Sequence, residues 1–395
     1  MTLRETQVLV VGAGPSGLIA AREASQRGAS VIALEEHSEI GRPCHCAGLL
    51  SADGMRRLKI PLDGFYVQNK LRGAIFFSPS GLSFMVERQR PVAYVVDRVS
   101  LDKFLANQAV ESGVEIKLGY AASDVHLGLN EILIKSSDGR EFRADILIDA
   151  EGVSSRILKS AGLKSLNSDR LLSGLQLDLV GVDIDPDFVE IYVGRKIAPG
   201  FFAWVIPLSK DAVRVGLGCK RANPKNLLNK FLKRRFKEKD YEVLNVRSGV
   251  IVTSGPIKKT FSKRMLVVGD AAGQVKPTTG GGVIFGGICA AIAGRVAAEA
   301  VSRSIFNEEF LSLYEQLWRK ELGKEIRYML LARRIFNHLS DRLIDRLFEA
   351  IISEDLQQFL SREGDMDFQS GIISDLLRRK RIFRLLFPFL RLFRQ

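Results

Sequence analysis

The chain has 395 residues, 46% hydrophobic content and 35 glycines, which fits a large-cored α/β enzyme of two or three subdomains and excludes a disordered chain. Four cysteines are too few for a disulfide framework, and nothing resembles a secretory signal, so a reduced, cytoplasmic protein is expected. A net charge of +13 points to an anionic partner: nucleic acid, lipid or substrate.

In chain order, Val8–Val11 reads as a buried strand, Gly12-Ala-Gly-Pro-Ser-Gly17 as a turn, Leu18–Gln26 as a helix with small residues towards a sheet, and Val31–Leu34 as the next strand, ending in Glu35. This βαβ context turns Gly12-x-Gly14-x-x-Gly17 into a dinucleotide fingerprint. Glu35 lies 18 residues past Gly17, where a carboxylate accepts ribose hydroxyls and disfavours a 2′-phosphate. A loop dense in special residues, Gly41 to Ser51, follows. Short alternating strands are expected at Ala74–Phe77, Leu82–Val86 and Ala93–Val96, then a helix from Asp97-Arg98 to about Ser112. Glu115–Leu118, a hairpin (Val125–Leu129, Glu131–Ser136) and the buried strand Ile146–Ile148 return the chain to the first domain. Asp149-Ala-Glu-Gly152 closes that strand with a turn.

Residues 170–220 carry four alternating strands, expected to form a second sheet together with the 71–96 insertion. Asn226–Asp240 is a basic amphipathic helix. Met265–Val268 is a strand ending in Gly269-Asp270, followed by Lys276-Pro-Thr-Thr and three glycines that open a helix. The first amides of a helix lack internal partners and carry partial positive charge, and glycines let a flat or anionic group approach them. Two such turns some 250 residues apart suit one long ligand held at both ends, with the electron-rich edge of a flavin at the second. The apolar stretch Gly282–Val301 is expected as a core helix, and its Gly282-x-x-x-Gly286 as close backbone approach to a ligand. Helices are expected over 283–302, 307–322, 323–338, 340–361 and 370–395. The last 18 residues hold seven basic side chains and no acid, interleaved with aromatic and aliphatic bulk. That pattern suits either the interfacial layer of an anionic membrane or a helix docked on the protein's own core. No nucleic-acid motif accompanies the charge.

Together these elements resemble the flavoprotein superfamily of p-hydroxybenzoate hydroxylase type, over roughly the first 300 residues. The signatures are Gly12-x-Gly14-x-x-Gly17, Asp149-Ala150-Glu151-Gly152 (the usual form ends Asp-Gly, and Glu151 stands where that Asp would be) and Gly269-Asp270. The resemblance implies FAD as cofactor, with Asp270 at the ribityl chain, Gly281, Gly282 and Val283 at the flavin edge, and Arg98 and the backbone at Ala122 as further contacts. Within the superfamily, Gly41-x-Pro43-x-x-Cys46-Ala47-Gly48 and Pro199-Gly-Phe-Phe202-Ala-Trp204-Val-Ile-Pro207 are similar to segments of the geranylgeranyl reductase family. The second is that family's Pro-x-x-Tyr-x-Trp-x-Phe-Pro with Phe202 for Tyr and Ile206 for the later Phe, so no hydroxyl proton donor is assigned there.

The resemblance implies a Rossmann-like FAD domain (1–70, 97–165 and 250–302), a β-sheet substrate domain (71–96 and 166–249) and a helical C-terminal region (303–395). The implied reaction saturates geranylgeranyl chains of archaeal-type ether phospholipids. Hydride would come from reduced flavin, with Pro199, Phe202, Trp204 and Pro207 at the substrate and Cys46, Ala47 at the flavin. Cys46 is either the proton donor or an inert small residue in a tight loop. His45 between Cys44 and Cys46 does not make a metal site, because three consecutive residues cannot face one tetrahedral ion. With no second GxGxxG for a nicotinamide, reduction is assigned to an external donor such as reduced ferredoxin, reduced deazaflavin or NAD(P)H. The other readings are a flavin monooxygenase or halogenase on the same fold, and a non-catalytic FAD protein at the membrane.

Overall fold

The computed structural model describes residues 4–237 and 241–391. The chain divides into two compact units. The first is built from the chain up to Cys44, Arg98–Arg170 and Val252–Ile326; the second from His45–Asp97, Leu171–Ile251 and the chain from Arg327 on.

The first unit is an α/β layer. Arg4–Val11 is the central strand, paired in parallel with Glu141–Asp149 on one side and Val31–Glu35 on the other. Glu115–Leu118 and Met265–Val267 extend the parallel sheet. The hairpin Ala122–Leu127 and Ile132–Ser136 adds to Glu141–Asp149. Residues 8–11 are Val-Leu-Val-Val, apolar on both faces, as a parallel strand covered on both sides must be. One face carries Leu9, Val11, Ile32, Leu34, Leu147, Met265 and Val267 in a single cluster. Val283–Arg303 is long and apolar enough to cross a membrane, but 83% of its apolar window is buried inside the protein. Gly294 explains its close seat. A β-carbon there would strike Ala20 O of helix Pro15–Ser25.

The second unit holds a seven-stranded sheet in the order Glu242–Val252, Leu171–Val180, Ala212–Cys219, Phe202–Pro207, Phe188–Val193, Gly73–Phe77, Ser83–Glu87. Helix Pro224–Phe236 covers one face with Leu228, Phe231, Leu232 and Phe236, so its basic side is the solvated one. The other face carries Phe201, Phe202, Trp204 and Ile206 in a second cluster.

Several elements differ from the sequence reading. Residues 93–96 leave the large sheet and pair with Leu49–Ser51 and Val67–Leu71 in a separate three-stranded sheet. The strand Glu242–Val252 has no counterpart in that reading; it lies at the sheet edge and is mostly exposed, so no alternation marks it. The segments 307–322 and 323–338 are one helix, Glu308–His338, because Gly323 sits among the buried Leu322, Ile326 and Met329. The 340–361 segment breaks at Asp355 (φ 49°), and 370–395 breaks at Arg379, which is extended (ψ 122°). Residues 392–395 of the basic tail lie outside the described residues.

Candidate functional site

In the first unit the structure brings the two glycine turns together. Gly12 has φ 94°, and a β-carbon there would strike Ala150 O; one on Gly17 would strike Gly12 O. These two glycines are therefore fixed by packing. Gly14 is different: a β-carbon there would meet nothing within 4 Å, so its surface is open to a ligand. It is also the residue that begins helix Pro15–Ser25, whose first amides have no internal acceptors. Ser16 on that helix reaches the second motif. Its Oγ lies 2.7 Å from where a β-carbon on Gly269 would stand and 2.6 Å from that of Gly286.

Glu35 ends its strand beside the first turn. Its Oε2 accepts Ala13 N–H at 2.9 Å, and its Oε1 accepts His37 N–H at 3.0 Å and contacts His37 Nδ1 at 2.6 Å. One lone pair on Oε2 is left for a ribose hydroxyl. At the other end, Asp270 Oδ1 lies 2.6 Å from where a β-carbon on Gly282 would stand, so the carboxylate sits at the start of Val283–Arg303. Burial pushes the Asp270 carboxyl up, and the Arg98 guanidinium acts against that shift. Arg98 is itself held by Asp102 at 3.0 Å. Gly281 stands against the buried Lys276 side chain, its β-carbon position 2.8 Å from Lys276 Cε.

Asp149 is wholly buried. Oδ1 accepts Glu151 N–H at 3.0 Å while Oδ2 has no partner among the described residues. Burial, reinforced by the Glu151 charge, pushes its carboxyl well above the usual range. Glu151 turns to Arg156 N–H (2.7 Å) and Leu158 N–H (3.1 Å) and caps the short helix Arg156–Ser160. Ala122 lies in the sheet core, at a register shift of its hairpin.

Sequence reasoning missed Gln274 and Tyr314. Gln274 Oε1 accepts Gly269 N–H at 3.0 Å, its Nε2 donates to Tyr314 O–H at 2.7 Å, and that hydroxyl donates to Val267 O at 2.8 Å. Both side chains are buried, and this chain fixes the second turn from behind.

In the second unit the aromatic residues of the 199–207 segment pack against one another. Phe201 stacks on Phe202 (4.2 Å between ring centroids, 18°), and Phe202 meets Trp204 edge-on at 6.0 Å. Glycines on the neighbouring strand let the rings lie flat: a β-carbon on Gly218 would stand 2.6 Å from Phe201, and one on Gly216 would stand 2.6 Å from Trp204. Trp204 Nε1 is buried without a partner among the described residues. Pro207 ends the strand opposite Val213, and Pro199 O accepts Lys220 N–H at 2.8 Å.

The loop carrying Cys46 and Ala47 is clamped from this same sheet. Gln176 Nε2 donates to His45 O (3.3 Å) and Cys46 O (3.1 Å), and Arg214 Nη1 donates to Ala47 O (2.8 Å). Asp178 holds Arg214 at 2.7 Å, Arg247 at 2.7 Å and Asn245 at 3.4 Å. Cys46 Sγ accepts Gly48 N–H at 3.4 Å, and Cys46 is not in a disulfide. None of the clamp residues was singled out from sequence. The polar side chains at Gln176 and Asp178, two apart in an apolar strand, were the available signal.

The open Gly14, the Glu35 lone pair and the Asp270–Gly282 start of a long helix fit an adenine dinucleotide carrying a redox ring, the equipment of an FAD-dependent oxidoreductase. Residues 7–165 match the family model for FAD dependent oxidoreductase, and residues 171–251 match that for the geranylgeranyl reductase catalytic domain. The chain is 36% identical over 360 residues to digeranylgeranylglycerophospholipid reductase 2 of Methanothermobacter thermautotrophicus, covering 88% of this chain and 92% of that protein. It is 33% identical to the digeranylgeranylglycerophospholipid reductase of Methanocaldococcus jannaschii, covering 90% and 94%. A geranylgeranyl bacteriochlorophyll reductase-like crystal structure from Thermoplasma acidophilum superposes with a TM-score of 0.87 at 26% identity, covering 97% of this chain and 99% of that one. The chain belongs to the geranylgeranyl reductase family. A flavin-dependent brominase shares the fold alone, at 18% identity and a TM-score of 0.72.

Proposed function

We propose that this chain is an FAD-dependent reductase that saturates double bonds in the geranylgeranyl chains of archaeal-type ether phospholipids. The observation that carries the reading is the wall Phe201–Phe202–Trp204, laid flat on Gly216 and Gly218 within the span matched by the reductase catalytic domain. Burial of a long polyprenyl chain at ~25 cal/mol per Å2 supplies ample affinity from apolar contact alone, which suits a wall with so few polar anchors.

Gly12, Gly14, Gly17 and Glu35 would hold the adenosine and pyrophosphate, and Asp270 with Gly281, Gly282 and Val283 the other end. When bound and reduced, FAD supplies the hydride that saturation needs. Phe202 and Trp204 orient the chain and exclude water, and Pro199 and Pro207 bound the segment that carries them. Cys46 Sγ holds the proton for the second alkene carbon, and Gln176 and Arg214 fix the backbone that aims it. Electrons come from an external donor: reduced ferredoxin, reduced deazaflavin or NAD(P)H.

The reading places the protein in the cytoplasm, peripheral on the inner face of an anionic membrane. Ile382 and Leu386 of the last helix are buried in the second unit's core, whereas Phe383 and Phe387, 5.2 Å apart, are 41% and 37% exposed among basic residues. One face of residues 382–387 thus packs on the protein, and the other is exposed as lipid contact requires.

The test is dithionite-reduced protein with digeranylgeranyl phospholipid, without oxygen. The expected product gains two hydrogens per double bond by mass spectrometry. No mass gain with fully reduced flavin overturns the reading, and substrate-dependent oxygen consumption with NAD(P)H assigns the fold to oxygenase chemistry instead.

A further inference from the structure

The aromatic row ends in a cation. Arg333, on helix Glu308–His338, lies with its guanidinium carbon 5.2 Å from the Phe201 ring centroid, and its Nη2 donates to Gly200 O at 2.8 Å. Arg333, Phe201, Phe202 and Trp204 therefore form one continuous series of contacts. Gly200 has φ 79°, and a β-carbon there would stand 3.0 Å from Lys220 Cβ; Lys220 is exposed. Two cationic residues thus adjoin the Pro199–Gly200 turn.

Arg333 is partly buried, and among the described residues no carboxylate pairs with it. Desolvation pulls its pKa down to about 10. A guanidinium has five N–H donors, and the bond to Gly200 uses one. Holding the Gly200 carbonyl does not need a charge, since an amide would do it. A desolvated cation without a counter-ion is costly unless an anion arrives to meet it. Guanidinium suits phosphate because it donates in a planar fork.

We propose that Arg333, assisted by Lys220, binds the phosphate of an amphiphile whose prenyl chains lie along Phe201, Phe202 and Trp204. This rests on the reductase reading above and adds to it the end of the wall at which the head group lies. The phosphate could belong to the lipid or be free in solution, and the experiment separates these sources.

Steady-state reduction is measured for digeranylgeranylglyceryl phosphate and for the uncharged digeranylgeranylglycerol, in wild type, Arg333→Gln and Arg333→Lys, with inorganic phosphate as competitor. Gln keeps a donor for Gly200 O and removes the charge. The expected result is a KM for the phospholipid raised about 10- to 100-fold in Arg333→Gln, partly restored in Arg333→Lys, with the KM for the uncharged lipid unchanged. Equal rises for both lipids make Arg333 a support of the turn and overturn the proposal. So does an unchanged preference for the phospholipid. If inorganic phosphate blocks both lipids alike and wild type shows no preference between them, the site takes a free anion and the head-group assignment falls.

Lipid binding is followed in parallel by tryptophan emission, without turnover. If wild type binds the phospholipid better than the alcohol, and Arg333→Gln does not, while neither lipid is reduced, the inference stands and the reductase reading fails.

Discussion

Replacing Asp178 with asparagine tests whether the clamp under the Cys46 loop is a real structural unit. Asp178 and Arg214 side chains are 6% and 4% exposed, and they face each other directly across neighbouring strands. Asp178 also accepts from Arg247 at 2.7 Å. Neutralising it leaves one buried guanidinium and one partly buried one without a counter-ion, a cost of about 3–5 kcal/mol. Arg214→Met should cost less, about 1–3 kcal/mol, because Asp178 keeps Arg247. The double variant should lie below the sum, since removing both partners leaves no uncompensated charge at their contact. The assay is hydrogen exchange of peptides from Leu171–Val180 and Ala212–Cys219, where ~3 kcal/mol corresponds to more than 100-fold faster exchange. Thiol labelling of Cys46 in a Cys44→Ser background should accelerate as Ala47 O loses Arg214 Nη1. An Asp178→Asn cost under about 1 kcal/mol, or an Arg214→Met cost larger than that of Asp178→Asn, refutes the reasoning.

Other outcomes follow from the same geometry. Glu35→Ala should weaken FAD binding about 10- to 100-fold by removing a charge-assisted bond to ribose, measured by flavin fluorescence; unchanged affinity would place the ribose elsewhere. Asp149 binds its proton more tightly folded than unfolded, so the stability it contributes is present below the ordinary value of 3.8 and is lost as pH rises through the raised folded value. Wild-type stability relative to Asp149→Asn, from urea midpoints with FAD saturating, should therefore fall as pH rises above the ordinary carboxylate value; a constant difference contradicts the assignment. Phe383→Ser with Phe387→Ser should weaken binding to anionic liposomes without unfolding the protein, because both rings are exposed. Truncation at 378 would instead remove the core residues Ile382 and Leu386. Undiminished liposome binding by the double variant would end the membrane role of that face.

Much of the first unit was legible because its signals are local. Val8–Val11, the turn at Gly12–Gly17 and the strand ending at Glu35 follow one another within a single βαβ unit, so spacing alone orders them. The junction between the second glycine motif and the first helix was not foreseen: Gly269 and Gly286 both stand against Ser16, a contact that only the folded sheet creates. The unread elements had their signal diluted by surroundings. Glu242–Val252 is an edge strand with little burial, so hydrophobic alternation could not mark it. Gly323 reads as a break because glycine costs a helix about 1 kcal/mol, and the buried Leu322, Ile326 and Met329 around it override that cost.

The clamp was out of reach for a different reason. Gln176 and Asp178 act through Arg214, Ala47 and Cys46, which lie some 40 and 130 residues away in sequence. Their function exists only once Asp178 is placed opposite Arg214 by strand register, and a one-residue slip would turn both to the face covered by helix Pro224–Phe236. Composition makes the wall visible because aromatic residues cluster within nine positions of the chain, Pro199 to Pro207. Register alone makes the clamp. Arg333 belongs with the clamp: its neighbours on the helix give no hint that it caps an aromatic row belonging to a strand more than a hundred residues earlier. Residues whose role lies in a local motif can be found in sequence, whereas residues whose role depends on a partner distant in the chain, Arg333 and the clamp alike, become visible only when the fold has set that partner.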